Sequence, residues 1–263
     1  MQVILDILST ATFDLTRGLM AGLVLLLIPT LYFFTSRVRA MIKSGKPIAL
    51  RRIPAYDDLN LAMGKAAESG QPMHVSLGTG GIGNATTAES MAGLMLLDQL
   101  AQKAAMYDAQ PIVTTADPTL MLAAQDRMRL AYARRGFAKG YDASKVRLIA
   151  PDRTAYAAGV IDLLDNEPLS GNVMLGAFGD EYLLLGEASA QRGLTQVAGA
   201  ADPQVAAFVL ATADKPLLGE EIFTAGAYLG RQPVHIGSLL AQDWVRLLVI
   251  IIIVAGVVVK SLV

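Results

Sequence analysis

Cysteine is absent from the 263-residue chain, which excludes disulfides, thiolate metal sites, iron–sulfur clusters and cysteine nucleophiles. Charge is also scarce. Only 17% of residues are Asp, Glu, Lys or Arg, against 53% hydrophobic side chains and a mean hydropathy of +0.45. That balance is too apolar for an ordinary soluble domain and opposite to that of a disordered chain. Neither sign of charge dominates, with 22 bases and 23 acids. Histidine occurs only at His74 and His235, two expected strand starts far apart in sequence, and no H-x-x-x-H spacing is present, which argues against a metal site. A Gly-x-Ser-x-Gly elbow and a Gly-Lys-Ser/Thr phosphate loop are both missing, so a serine hydrolase and a P-loop nucleotide triphosphatase are disfavoured.

The apolar residues are concentrated at the two ends. Gly18 to Ser36 carries no charged side chain, and a span over 16–36 has about the 20 residues that cross a hydrocarbon core. A cleaved signal peptide competes with this reading, but its basic end would come first, whereas here the basic residues follow. Pro29 lies inside the span, and Tyr32, Phe33 and Phe34 suit its interfacial end. A second span, 239–263, closes the chain, with Leu247 to Val259 wholly apolar, Trp244 and Arg246 at one interface and Lys260 snorkelling to the other. A buried core helix is the alternative there. Residues 1–15, with Asp6 and Asp14 among Ile, Leu and Phe, form a short amphipathic stretch on the outer face.

Between the spans, charge separates along the chain. Residues 37–52 hold six bases and no acid: Arg37, Arg39, Lys43, Lys46, Arg51 and Arg52. By the positive-inside rule this linker is cytoplasmic, and it suits anionic lipid headgroups. Residues 53–243 hold 13 bases and 21 acids, which disfavours a nucleic-acid partner. Two crossings then place a cytoplasmic domain, 53–238, at an inner membrane with both termini outside.

That middle region repeats a short apolar strand, a small or acidic corner and a helix. Strands are expected at Met73–Leu77, Ile112–Thr115, Val146–Ala150, Val173–Phe178 and Gln196–Ala198. The pattern predicts a Rossmann-like three-layer α/β domain with a mainly parallel sheet of about five strands. A helix over Tyr56 to Ser69 precedes it, ended by Gly70-Gln71-Pro72. Asp117-Pro118, Asp152, Asp180 and Asp202-Pro203 stand where strands give way to helices. Capping of the free amides is the favoured role for these acids. A catalytic cluster at the sheet edge is the alternative for them.

After the first strand comes Gly78-Thr79-Gly80-Gly81-Ile82-Gly83, a G-x-G-x-x-G in the position where dinucleotide-binding folds carry it. Glycines let a phosphate approach the backbone, and the helix start offers unpaired N–H groups. Thr86 with Glu89 predicts a capping box. Asn84 and Ala85 then form extra loop, and the acid expected about 20 residues on is displaced: Asp117 follows Gly83 by 34 residues. The candidate ligand contacts are Gly78, Thr79, Gly80, Gly81, Gly83, Asn84, Thr86 and Asp117, with Thr87 assisting. A phosphorylated metabolite or nucleotide suits them better than NAD specifically. A tight crossover or subunit contact is the other reading of the loop.

Two further sets of residues stand out. Glu187 and Glu220-Glu221, on expected helices, are a possible carboxylate pair, and acids at helix starts or in solvent are the simpler account. Arg127, Arg129, Arg134, Arg135 and Lys139 form a basic patch that reads as a solvated face or oligomer contact. Small-residue runs at Ala155–Gly159, Ala188–Ala190, Ala206–Ala213 and Thr224–Gly230 favour close helix packing, including packing between copies of the chain.

Arg52-Ile53-Pro54-Ala55-Tyr56-Asp57, the Ser76–Gly83 loop, Ala155-Tyr156-Ala157-Ala158-Gly159-Val160 and Gly219-Glu220-Glu221 with Ala225-Gly226-Ala227-Tyr228-Leu229 together resemble an uncharacterised family of prokaryotic membrane proteins. The resemblance runs from about Arg51 to Asp243. It implies one α/β domain beside transmembrane helices and assigns no reaction, cofactor or catalytic residue. The expected function is a membrane-anchored, homo-oligomeric module that binds a small anionic ligand as a sensor or assembly component. A structural scaffold is the alternative, and an enzyme using Asp117, Asp152 or Asp180 is a third.

Overall fold

The computed structural model describes the backbone of residues 2–45 and 50–262, with side chains for 17, 18, 22, 25, 27–45, 50–251 and most of 253–261. The chain divides into two compact units, residues 1–50 with 231–263, and residues 51–230.

The second unit is a mainly helical α/β domain built on a six-stranded, all-parallel sheet. Helix α2 (Pro54–Ser69) leads into β1 (Met73–Gly78), α3 (Thr87–Tyr107), β2 (Ile112–Thr115), α4 (Pro118–Arg134), β3 (Val146–Leu148), α5 (Arg153–Asn166), β4 (Gly171–Ala177), α6 (Glu181–Gln191), β5 (Gln196–Ala200), α7 (Pro203–Thr212), β6 (Lys215–Leu218) and α8 (Ala225–Tyr228). All five expected strands form, with ends shifted by up to two residues. The expected count is corrected by β6, which carries Pro216. Proline cannot donate to a strand ladder and so weakens the sequence signal for a strand. It is tolerated because β6 is at the sheet edge, paired with β5 alone.

The strand order is β3-β2-β1-β4-β5-β6. The winding therefore reverses between β1 and β4, and these central strands are buried along their whole length. Alternation along β1 sends Met73, Val75 and Leu77 into one core layer with α2, α3 and α4. The layer on the other face gathers Met174 and Ala198 with apolar residues of α5, α6 and α7. Sheet and helices thus make three layers, as buried parallel strands require. Gly93 lets α3 lie close on the sheet, since a Cβ there would stand 2.4 Å from the Leu175 carbonyl oxygen.

The first unit contains α1 (Gln2–Lys43) and α9 (Pro233–Leu262). They meet backbone to backbone near Gly237, where a Cβ would lie 2.7 Å from Thr35 Cα. Among the described residues one helical stretch, Pro233–Val258, is long and apolar enough to cross a membrane, and little of it is buried. Of the N-terminal span expected at 16–36, the side chains of 16, 19–21, 23, 24 and 26 lie outside the described residues, as do those of the amphipathic stretch 1–15, and among the described residues no second span stands out there. The backbone there is helical from Gln2 to Lys43 with Pro29 inside it. His235 belongs to α9 instead of starting a strand, a correction that follows from Pro233 opening a helix.

Candidate functional site

The reversal of winding makes the site's geometry. Helix α3 leaves β1 toward one face of the sheet and α6 leaves β4 toward the other, so a crevice opens beyond the carboxyl ends of these two strands, the place where doubly wound sheets bind ligands. Gly78–Thr86 forms one bank of the crevice and Phe178–Asp180 the other. The strand ends are tightly apposed: Thr79 and Gly80 donate their amides to the Ala177 carbonyl at 2.9 and 3.1 Å. Gly78 adopts φ +83°, and a Cβ there would fall 2.2 Å from that same oxygen. Only glycine meets both demands.

Four further loop amides turn inward. Gly81 N donates to Thr86 Oγ1 at 3.1 Å, and Gly83 N and Asn84 N donate to Thr87 Oγ1 at 2.9 and 3.0 Å. Thr86 N donates to Asn84 Oδ1 at 3.0 Å. The side chains of Asn84, Thr86 and Thr87 thus hold the loop closed on itself. The expected capping box is not made: Thr86 is the N-cap of α3 without a side-chain cap bond, because its hydroxyl is committed to the loop through Asn84 Oδ1 at 2.7 Å. Burial raises the pKa of Glu89, with Asp202 adding to it.

Asp117 does reach the loop. Its Oδ1 caps α4 by accepting from Leu120 N at 2.7 Å, while its Oδ2 lies 2.9 Å from where a Cβ of Gly81 would stand. The sheet therefore closes the 34-residue gap in sequence and puts this acid just past β2, beside the glycines. Asp152 and Asp202 also cap, accepting from Ala155 N at 2.9 Å and Gln204 N at 2.8 Å. Asp180 does not: it sits at the start of α6 in helical conformation with no side-chain cap bond.

The neighbour of Asp180 is the residue that sequence reasoning missed. Glu181, 4% exposed, joins the two banks. Its Oε1 accepts from Thr79 Oγ1 at 2.6 Å and from Gly179 N at 2.9 Å. Its Oε2 is buried and accepts no hydrogen bond among the described residues. The guanidinium of Arg153 is nearest, with Nε 3.9 Å from Oε2 and Nη1 3.7 Å from Asp180 Oδ1. The sequence signal for Glu181 was an acid in the first turn of a helix, which ordinarily means no more than a favourable dipole contact. Behind the loop Ser90 Oγ is also buried without a partner among the described residues.

Beneath the crevice a buried polar chain crosses three strands. His74 Nδ1 lies 2.7 Å from Asn172 Oδ1 and its Nε2 2.9 Å from Thr114 Oγ1. Tyr156 OH stands 3.0 Å from Thr114 Oγ1 and 2.6 Å from Ser76 Oγ. Burial lowers the His74 pKa to about 4, against the hydrogen bond to Asn172, so the ring is neutral at pH 7. Burial likewise pushes Tyr156 up to about 12. His74 is therefore a satisfied core residue.

The other acids are engaged locally. Glu187 accepts from Gln191 Nε2 at 3.1 Å. Glu221, in the 3-10 turn Gly219–Thr224 and not in the expected α-helix, pairs with Arg51. In the basic patch Arg129 pairs with Asp126 at 2.8 Å.

The fold and crevice define a doubly wound α/β domain with a glycine loop at its switch point and a buried carboxylate bridging the banks. Residues 9–263 match the model of DUF6754, a domain of unknown function, and the chain belongs to that family. No curated protein and no solved structure matches it.

Proposed function

We propose that the chain is a membrane-anchored, non-enzymatic module whose Rossmann-like domain binds a small phosphate-bearing or nucleotide-like ligand at the β1–β4 crevice. The observation that carries this reading is the reversal of strand order at the glycine loop, with Asp117 brought beside Gly81 from the end of β2. Gly78, Gly80, Gly81 and Gly83 shape the bank, and Thr79, Asn84 and Thr86 supply side-chain contacts. Because Thr86 and Thr87 occupy several loop amides, an anion binds by taking over those donors, and the loop rearranges as it does so. A loop that changes partners on binding suits a sensor.

The anchor reading draws on Pro233–Val258, whose apolar side chains are mostly unburied, and on the uncharged run Gly18–Ser36. With the basic residues 37–52 on the cytoplasmic side, the α/β domain is cytoplasmic at a prokaryotic inner membrane and both termini lie outside. Exposed Leu183, Leu184 and Leu210 on α6 and α7 favour homo-oligomers.

The inward-turned amides favour a second reading, a structural scaffold in which the loop only ties β1 to α3. Thermal melting of the full chain in detergent, screened with nucleotides and sugar phosphates, separates the two. A ligand-dependent rise in melting temperature that is lost in Gly80→Asp supports the binding module. No rise with any of them leaves the scaffold.

A further inference from the structure

Glu181 is the one acid in the crevice whose burial is nearly complete and whose hydrogen bonding is half finished. Oε1 is saturated by Thr79 and Gly179, and Oε2 has no donor among the described residues. Buried carboxylate oxygens in native proteins are almost always bonded, and an exception asks for a missing partner. Arg153 does not fill that role, since its guanidinium stands beyond hydrogen-bond distance of both Glu181 and Asp180 and is largely exposed. An acceptor without a donor and a cationic fork therefore lie side by side at the switch point.

Resting on the binding reading above, we infer that Glu181 Oε2 accepts a hydrogen bond from a ligand hydroxyl while Arg153 holds the same ligand's phosphate, so that the crevice selects a phosphorylated sugar, free or within a nucleotide, over inorganic phosphate. The chemistry is complementary on both counts. A desolvated carboxylate offers only acceptor positions and so recognises a donor, and a guanidinium fork matches phosphate oxygens in pairs. A Cβ at Gly179 would stand 2.8 Å from Oε2 and 2.4 Å from Arg153 Nη1, so the bare glycine is what lets the carboxylate and the guanidinium face one another across this space.

The test is calorimetric titration of the full chain in detergent with four organic probes and inorganic phosphate. Ribose 5-phosphate and AMP represent the free and nucleotide sources, and 2-deoxyribose 5-phosphate and 2′,3′-dideoxy-AMP remove hydroxyls from each. The expected result is that a hydroxylated probe binds at least about tenfold more tightly than its deoxy partner, because a site built to hold a hydroxyl is left unpaired by the analogue. Glu181→Gln should shrink that ratio toward one, and Arg153→Met should weaken both members of a pair. Equal binding of a probe and its deoxy partner to the unmodified chain overturns the inference while leaving a binding module in place, and this comparison holds even where Glu181→Gln fails to fold. If no probe binds, the binding reading falls and the inference with it.

Discussion

Thr79 Oγ1 donates to Glu181 Oε1 across 2.6 Å, joining the loop after β1 to the first turn of α6 after β4. The two residues are 102 positions apart and belong to loops that depart toward opposite faces of the sheet. Their bond fixes the width of the crevice. Thr79→Val removes the donor and leaves a buried acceptor short of a partner, which costs about 1–3 kcal/mol. The melting temperature should fall by several degrees, and an unchanged melt would show that the bond does not hold the banks together.

The four aspartates at the helix corners separate into three caps and one exposed residue. Asp117→Ala, Asp152→Ala and Asp202→Ala each remove an observed side-chain cap and should cost about 0.5–2 kcal/mol. Asp180→Ala removes none and should stay within about 0.5 kcal/mol of the parent. Denaturant titration of all four variants checks this. An Asp180→Ala variant as damaging as the other three would show that side-chain capping does not set these costs.

His74 makes stability depend on acidity with a defined sign. Its folded pKa, about 4, lies below the ordinary histidine value. Between the two, unfolded chains bind a proton that the folded state excludes, so stability falls as pH drops through that window and is flat above it. From pH 7 to pH 5 this one residue should account for about 2 kcal/mol. His74→Asn should lose that share of the pH dependence in denaturant titrations. Parallel pH profiles for variant and parent would remove histidine as the cause.

In the helical unit, Gly237 allows α9 to touch the backbone of α1 at Thr35. Added volume has nowhere to go, and overpacking of this kind costs about 1–3 kcal/mol. Thermal stability in detergent should therefore decline in the order Gly237, Gly237→Ala, Gly237→Leu. A leucine variant as stable as the parent would show that the helices separate freely.

Membrane insertion of α9 can be tested at its centre. Arginine in the middle of a spanning helix costs about 2.5–3.5 kcal/mol on insertion scales, so Ile253→Arg should sharply reduce the fraction of chains that resist alkaline carbonate extraction from vesicles. Exposed Ile253 would tolerate arginine without loss if the helix simply lay in water.

Much of the fold was legible because buried parallel strands read as short apolar runs and acidic corners mark helix starts. Val173–Phe178 anticipated β4 to within two residues at its start, and three of the four corner aspartates cap as their positions imply. Edge strand β6 was hidden by Pro216, whose chemistry opposes a strand everywhere except at an edge. Thr86 misled for a related reason, since its hydroxyl can cap a helix or brace a loop, and Asn84 decided between them.

The amino-acid order by itself settled the absence of thiol chemistry, the apolar ends, the alternation of strands with helices and the place of the glycine loop, because these depend on composition and local periodicity. Tertiary structure decided which strands are neighbours, and so made a crevice of loops distant in sequence, drew Asp117 to Gly81 and buried Glu181 with one oxygen unanswered. Strand order and desolvation arise only when the whole sheet assembles, and no local pattern of side chains carries them.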